Sequence, residues 1–311
     1  MRYADTRAQE LMSMTGRRLA PACRAEVRAL KERHTLATAK LYLSKIRSVI
    51  RSADPNHPAL RHLTLTQEDY MVLNANKEMG NYADITHLRP IVPKRMIERA
   101  RQMCLSTHPA ELALGLMLLS GRRGVEIVRQ GEFAPCSAEE VAAWEQMVGY
   151  RLKSPEQHVL FTGQAKIRGD PDRAASGYPI PLLCPAGEFL QDWRRLREAT
   201  AKWQTGDFNS QTAILFQQTV QRWFGEDGSS WRPKDLRAAY AEISYALFAP
   251  ERRGAKSISY EAYFSHILGH REGRVVGGML VRDVRTAQSY RDFTLVWDEN
   301  EADDATPQLG P

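Results

Sequence analysis

The sequence predicts a mainly α-helical protein with a small antiparallel sheet (α+β), and three observations support this class. Apolar residues recur at three- and four-residue steps in many segments of the 311-residue chain, as on one face of a helix. Strand-like composition occurs in two short segments, Val159 to Ala165 and Tyr178 to Leu183, and the glycine- and charge-rich stretch Gln164 to Gly177 joins them as a hairpin. A hydrophobic content of 43% is sufficient for a core in each of two domains.

The first predicted domain, residues 1–90, is helical and basic. From Arg17 to Arg51 the chain has ten Lys or Arg residues against two acids. Apolar residues recur with helical spacing from Thr35 to Ser52, so this segment is predicted to be an amphipathic helix capped by Thr35, with bases on its polar face. A second helix is expected near Gln67 to Met79. The charge predicts an anionic partner for this domain.

The second predicted domain, residues 91–297, follows a proline-bearing linker at Leu88 to Lys94. Its helices are expected at Lys94 to Cys104, Pro109 to Leu119, Ala186 to Trp203, Gln211 to Phe224, Pro233 to Leu247 and Ser259 to Leu268. Residues 298–311 begin with five acids in seven residues, which predicts a disordered, solvated tail.

The composition argues against several classes of protein. An uninterrupted apolar run of about 18 residues and the apolar stretch of a signal peptide are both missing, so a cytoplasmic protein without membrane association is expected. The cysteines form no CxxC pair and the histidines no HxxxH pattern, so packed, reduced thiols and no metal or other cofactor are expected. The cysteines are Cys23, Cys104, Cys136 and Cys184.

Two motifs in the second domain place arginine beside other charges. In the turn after an apolar helix, Arg123 can either form a surface ion pair with Glu126 or bind an anion. Pro233 begins a helix that carries Lys234 and Arg237 one turn apart on the same face. These two cations repel each other, so the arrangement indicates either a shared phosphate ligand or a solvated helix face.

Two further motifs lie near the end of the second domain. Gly269 is predicted to terminate a helix, and His270 follows it directly. Tyr290 lies in the segment Thr286 to Phe293. Taken alone, the histidine is explained by a helix-cap interaction and the tyrosine by half-buried packing.

The order of these motifs along the chain resembles that of the tyrosine recombinases. It runs from GxRxxE, through a hairpin lysine and a basic-x-x-Arg helix, to LGH and a late tyrosine. The third motif has lysine at position 234 where most recombinases and phage integrases have histidine, which is similar to the telomere resolvases, or protelomerases. The phrase Thr286 to Tyr290 is also similar to that branch. The resemblance covers Pro93 to Trp297, with a weaker likeness of Thr35 to Ser52 to the family's core-binding part.

The resemblance implies a helical core-binding domain followed by a tyrosine-recombinase-like catalytic domain. It also implies a reaction independent of metal and ATP, in which Tyr290 attacks a DNA phosphodiester to form a 3′-phosphotyrosyl intermediate. Arg123 and Arg237 would hold the non-bridging oxygens. The hairpin lysine, assigned to Lys166 in preference to Lys153, would protonate the departing oxygen. The last two catalytic positions, Lys234 and His270, would supply charge and proton transfer jointly.

Under the same resemblance, the partner is double-stranded, palindromic DNA, bound by a dimer in a bacterial or phage setting. Phosphate contacts are expected from the basic helices and from the residue near the hairpin lysine. These DNA-binding residues are Arg24, Arg28, Lys31, Lys40, Lys45, Arg47, Arg51 and Arg168. The product would be a pair of covalently closed hairpin ends, the resolved form of a replicated telomere junction.

Two alternative functions stay open at this point. A site-specific recombinase or integrase would use the same residues to exchange strands between duplexes. A DNA-binding relative that retained the fold but lost catalysis would also share most of the motifs. The interval from His270 to Tyr290 spans twenty residues, longer than the family pattern, and this feature keeps the inactive relative open.

Overall fold

The computed structural model describes residues 2–165, 177–226, 228–249, 258–269, 274–276, 279–281 and 290–297. The chain divides into two compact units, Met1–Ala83 and Asp84–Pro311. Within the described residues the protein is mainly α-helical with small sheets, which confirms the predicted fold class.

The first unit is built from helices around an apolar core. These helices are α1 (Arg2–Met12), α2 (Leu19–Arg33), α3 (Leu36–Ala53), α4 (Ala59–His62) and α5 (Gln67–Thr86), whose last three residues belong to the second unit. The predicted amphipathic helix corresponds to α3: its periodic residues Ala39, Leu43, Ile46 and Ile50 are buried, and the Thr35 hydroxyl accepts from the Thr38 amide at 3.4 Å. The cap and the apolar spacing together therefore define this helix.

The second unit has a helical core around one helix that is buried along most of its length. Its helices are α6 (Pro93–Leu105), α7 (Pro109–Ser120), α8 (Ala138–Val148), α9 (Ala186–Ala199), α10 (Phe208–Phe224), α11 (Pro233–Phe248) and α12 (Tyr260–Ile267). The apolar helix α7 is buried from Leu112 to Ser120 and packs against α6, α9, α10 and α11. A helix that is apolar on all sides must be surrounded in this way.

Three small sheets complete the described part of the second unit. Their strands are β1 (Arg89–Ile91), β2 (Glu132–Pro135), β3 (His158–Thr162), β4 (Tyr178–Pro181), β5 (Arg274–Val276), β6 (Met279–Val281) and β7 (Phe293–Leu295). The predicted strands β3 and β4 pair antiparallel, and β2 joins them as a third strand. Strands β5 and β6 pair antiparallel, whereas β1 and β7 pair in parallel.

The stretch Leu88 to Lys94 differs from its prediction as a linker. It contains β1 and the start of α6 at Pro93. Prolines mark this stretch, but Pro93 occupies the first turn of a helix, where a missing N–H costs nothing. The strand exists because β7, from the far end of the unit, pairs with it.

Two sequence predictions concern membrane-spanning helices and the state of the cysteines. Among the described helices, none combines the length and the apolar character needed to cross a bilayer. The cysteines are unpaired thiols, with Cys136 half-buried and the other three buried. Burial raises the pKa of both Cys136 and Cys184 to about 12, which makes these thiols poor nucleophiles.

Candidate active site

The turn that ends α7 introduces the first arginines of the site. Gly121 terminates the helix with φ of +65°, a left-handed conformation that favours glycine. A Cβ atom at this position would lie 2.1 Å from Cδ1 of Tyr240, so the close approach of α11 also requires glycine. Arg122 and Arg123 follow this turn directly.

Glu126 is a buried carboxylate shared by three parts of the site. It accepts hydrogen bonds from the Arg123 amide at 2.8 Å, from Nη1 of Arg123 at 2.6 Å and from the Ala165 amide at 3.0 Å. Nη1 of Arg237 lies 3.6 Å from Oε2, the same oxygen that accepts from the Arg123 amide. Burial by itself would raise the pKa of Glu126, but the charges of Arg237, Arg123 and Arg122 outweigh burial and hold the pKa below its ordinary value.

The surface ion pair considered for Arg123 is therefore only part of the arrangement. Arg123 does pair with Glu126, but the carboxylate is fully buried while the arginine side chain is 24% exposed. One side of the guanidinium is held inside the protein while part of it faces solvent. This geometry suits a group that positions an external anion.

Arg237 is the second arginine at this carboxylate. It is buried on α11, where Nη1 donates to the Gly121 carbonyl at 2.5 Å and Nη2 to the Leu268 carbonyl at 2.7 Å. Its Nε has no hydrogen-bond partner among the described residues. A buried guanidinium N–H that no group of the described chain occupies can donate to a bound anion.

Tyr290 lies next to Arg237. The guanidinium carbon of Arg237 is 5.5 Å from the centre of the Tyr290 ring. Burial would raise the pKa of Tyr290, but the charges of Arg237 and Arg123, together with a hydrogen bond from Arg237, lower it below the ordinary value. The cations thus favour the phenolate, the nucleophilic form of tyrosine.

A buried clamp holds the turn that follows α12. Arg122 donates to the carbonyl of Ile267, Arg237 to that of Leu268, and Gln164 to that of Gly269. Three successive carbonyls are therefore fixed by donors from three separate segments. Gly269 has φ of +61°, as the predicted helix end requires.

Arg122 and Gln164 were not identified from the sequence. Arg122 is fully buried, donates to the Tyr178 hydroxyl at 2.7 Å, and lies over the ring of Phe161 at 4.9 Å. Its position directly before Arg123 was one signal, because the side chains of two adjacent residues point in different directions. If Arg123 faces an external anion, Arg122 must face elsewhere. Gln164 carried no signal, because its partner Gly269 lies 105 residues away.

The remaining predicted catalytic residues are less enclosed or fall outside the described part. Lys234 lies in the first turn of α11 with its side chain exposed, and no hydrogen bond or ion pair joins it to the described residues. Lys166 and His270 lie outside the described residues. Lys153, the alternative to Lys166, lies within the described residues and precedes β3.

The predicted DNA-binding residues of the first unit fall into two groups. Lys31 forms an ion pair with Asp69 at 2.7 Å, and Nη1 of Arg47 donates to the Leu60 carbonyl at 2.8 Å and the Leu63 carbonyl at 3.0 Å. The other five are exposed: Arg24, Arg28, Lys40, Lys45 and Arg51. Arg168 lies outside the described residues.

The second unit matches a known protein family. The family model described as the telomere resolvase ResT/TelK catalytic domain matches residues 87–293. The chain belongs to this family. The predicted resemblance to the telomere resolvases is therefore confirmed, and Arg123, Arg237 and Tyr290 all lie within the matched residues.

Individual relatives agree with this membership. The protelomerase of Escherichia phage N15 is 31% identical over 202 residues, covering 60% of this chain and 27% of the relative. The chain thus spans about a quarter of that relative's length. Protelomerase TelA covalently complexed with substrate DNA matches with a TM-score of 0.75 and 25% identity, covering 98% of this chain and 91% of that one. TelA complexed with DNA hairpin product matches with the same TM-score at 24% identity and the same coverage.

Proposed function

We propose that this chain breaks and rejoins double-stranded DNA through Tyr290 and closes the ends as hairpins. The observation that carries the proposal is the convergence of Arg123 and Arg237 on the buried carboxylate of Glu126, with Tyr290 beside Arg237. Two fixed guanidiniums next to a tyrosine of lowered pKa suit attack on a phosphodiester. Membership of the telomere resolvase family and the TelA complexes with substrate and hairpin DNA support the same reaction.

In the first step, Oη of Tyr290 forms a bond to phosphorus and the bond from phosphorus to the 5′-oxygen breaks. Arg123 and the unpartnered Nε of Arg237 donate to the non-bridging oxygens, on which negative charge accumulates. The tyrosine proton passes to a base and the departing oxygen takes a proton, leaving a 3′-phosphotyrosyl and a free 5′-hydroxyl. We assign these transfers to Lys166, Lys234 and His270.

In the second step, a 5′-hydroxyl attacks the phosphotyrosyl and Tyr290 leaves. Because the intermediate retains the energy of the broken bond, rejoining needs no ATP. On a palindromic duplex, two protomers would each cut one strand. Each duplex half would then fold back, so that the 5′-hydroxyl of one of its strands attacks the 3′-phosphotyrosyl of the other. The exposed lysines and arginines of α2 and α3 would contact DNA phosphates, and the strength of these contacts would fall as the salt concentration rises.

The lowered pKa of Tyr290 gives this chemistry a pH signature. Deprotonated tyrosine attacks, so the single-turnover cleavage rate should rise with pH. It should level off below the ordinary tyrosine titration at about pH 10. A rate that keeps rising beyond that pH would contradict phenolate stabilisation by the arginines.

The direct test incubates the chain with palindromic duplexes and separates the products on denaturing gels. The wild type should give protein-linked DNA and strands that snap back to duplex after denaturation, and Tyr290→Phe should give neither. Tyr42→Phe, a matched change on α3 in the first unit, should behave as the wild type. Exchanged duplexes would instead indicate a recombinase, and binding without any adduct would indicate an inactive relative.

A further inference from the structure

The segment that follows Tyr290 is attached to the rest of the second unit through β1. Strand β7 pairs with β1 in parallel, with Arg89 opposite Phe293 and Ile91 opposite Leu295. The Arg89 amide donates to the Asp292 carbonyl at 3.0 Å, two residues after Tyr290. The Val296 amide donates to the Ile91 carbonyl at 2.9 Å and closes the other end of the ladder.

The side chain of Arg89 lies on an aromatic platform beside this ladder. Its guanidinium carbon is 4.4 Å from the ring centre of Phe293 and 4.9 Å from that of Trp231. These two rings stack on each other at 5.2 Å with an interplanar angle of 22°. A planar guanidinium over aromatic rings gains cation–π attraction while keeping its edge free to donate.

The same guanidinium reaches the beginning of α11. Nη1 donates to the Ser230 carbonyl at 3.0 Å, and Nη2 lies 3.3 Å from Oδ2 of Asp235. The Asp235 side chain is fully buried, and its Oδ2 also accepts from the Arg232 amide at 2.9 Å, as an N-terminal cap of α11. Arg237 lies on the same helix two residues after Asp235.

Arg89 therefore joins two parts of the site that are distant in the sequence. Its main chain holds the strand after Tyr290, and its side chain holds the start of the helix that carries Arg237. A displacement of about 1 Å between reacting groups can cost about 100-fold in rate. Resting on the proposed function, we propose that Arg89 is a positioning residue that fixes Tyr290 relative to Arg237.

The test measures single-turnover formation of the covalent adduct, with saturating DNA, and the dissociation constant separately. Arg89→Ala should lower the cleavage rate about 10- to 100-fold and change the dissociation constant by less than about threefold. Arg89→Lys retains the charge near Asp235 but loses the planar stack, so it should recover part of the rate. The lysine variant also covers the case in which the alanine variant folds poorly.

Arg99→Ala is the matched control. Arg99 has a similarly exposed side chain, 34% against 30% for Arg89, and it too donates to a main-chain carbonyl, pairs with a carboxylate and lies over an aromatic ring. Its partners Trp223, Phe224 and Glu226 lie at or just after the end of α10. This control should cleave at the wild-type rate; a loss equal to that of Arg89→Ala would overturn the positioning role.

A substrate with sulfur in place of the bridging 5′-oxygen separates positioning from proton donation, because a thiolate leaves without a proton. The defect of Arg89→Ala should be equally large on the oxygen and sulfur substrates. Recovery on the sulfur substrate would overturn the inference, since it would assign Arg89 to leaving-group protonation.

The inference and the proposed function fail in different ways. An adduct formed by Tyr290→Phe would overturn the proposed function whatever Arg89 does. An inactive Tyr290→Phe together with wild-type cleavage by Arg89→Ala would overturn only the positioning role of Arg89.

Discussion

The exposed arginines on the helices of the first unit and the buried arginines near Glu126 in the second unit place the same chemical group in opposite surroundings. Arg24 and Arg51 extend into solvent, whereas Arg122 and Arg237 are buried and donate to main-chain carbonyls. An exposed cation contributes charge that salt screens, and a buried one contributes a fixed direction. Net charge therefore indicates affinity for DNA, whereas cleavage of DNA depends on which cations the fold holds in a fixed position.

The largest expected effect comes from changing a buried arginine without changing its charge. Arg237→Lys should reduce single-turnover cleavage by about 10²- to 10³-fold, because an ammonium group cannot reach both carbonyls and the phosphate in one plane. Binding to duplex DNA should change by less than about threefold, since many phosphate contacts share the affinity. Gel-shift titration and adduct formation measure the two quantities.

Arg222→Lys, on the exposed surface of α10, is the control for Arg237→Lys and should leave both the cleavage rate and DNA binding unchanged. Equal losses of binding and cleavage in Arg237→Lys would break the comparison between exposed and buried cations.

A buried acid provides the second prediction. Burial raises the pKa of Glu242 to about 7, partly opposed by the charge of Arg291 and reinforced by Asp292 and Glu261. The pKa of a glutamate in the unfolded chain is about 4.3, so between that pH and about 7 the folded state binds more protons than the unfolded state. The free energy of unfolding therefore falls as the pH rises through this range. Glu242→Gln should therefore increase the free energy of unfolding by about 1–3 kcal/mol at pH 8 and by less at pH 5.

Urea unfolding followed by tryptophan fluorescence measures this effect in the second unit, because all six tryptophans lie there. Glu98→Gln, an exposed acid on α6, should leave the free energy of unfolding unchanged at both pH values. A pH-independent difference for Glu242→Gln would show that the carboxyl does not titrate near 7.

The third prediction separates two arginines on α3. Arg47→Met removes donors to the carbonyls of Leu60 and Leu63 and should cost about 1–2 kcal/mol of unfolding free energy. Arg51→Met removes an exposed side chain and should cost less than about 0.5 kcal/mol. Far-UV circular dichroism during urea unfolding monitors both; equal stability of the two variants would contradict an internal role for Arg47.

The smallest expected effect concerns the exposed cations singly. Lys45→Ala should weaken DNA binding only a few-fold and reduce the slope of log affinity against log salt by about 0.9, the value for one phosphate contact. Measurements of binding at several salt concentrations test this. An unchanged slope would remove Lys45 from the DNA contacts.

Local patterns carried most of the fold prediction. Thr35, Pro109 and Pro233 marked helix starts correctly, and the spacing of apolar residues identified α3. Strands β1, β2, β5, β6 and β7 were not predicted: all are short, and β1 and β7 also depend on each other from opposite ends of the second unit. Pairing energy of that kind leaves no periodic trace in a short segment.

The candidate site was predictable to the extent that its residues form an ordered set of motifs. Arg123, Arg237 and Tyr290 come together as the motif order implied. The supporting residues Arg89, Arg122 and Gln164 were not found, since each donates to a main-chain carbonyl. Such partners have no characteristic residue type, so a sequence motif cannot encode them.

The clamp on residues 267–269 has a consequence for the order of folding. Arg122 and Ile267 are separated by 145 positions, and Gln164 and Gly269 by 105. Contacts of such long range form late, after most of the chain has been released and collapsed. A chain emerging from the ribosome therefore possesses its arginines well before it can immobilise them, and we expect nascent polypeptides to bind DNA without nicking it.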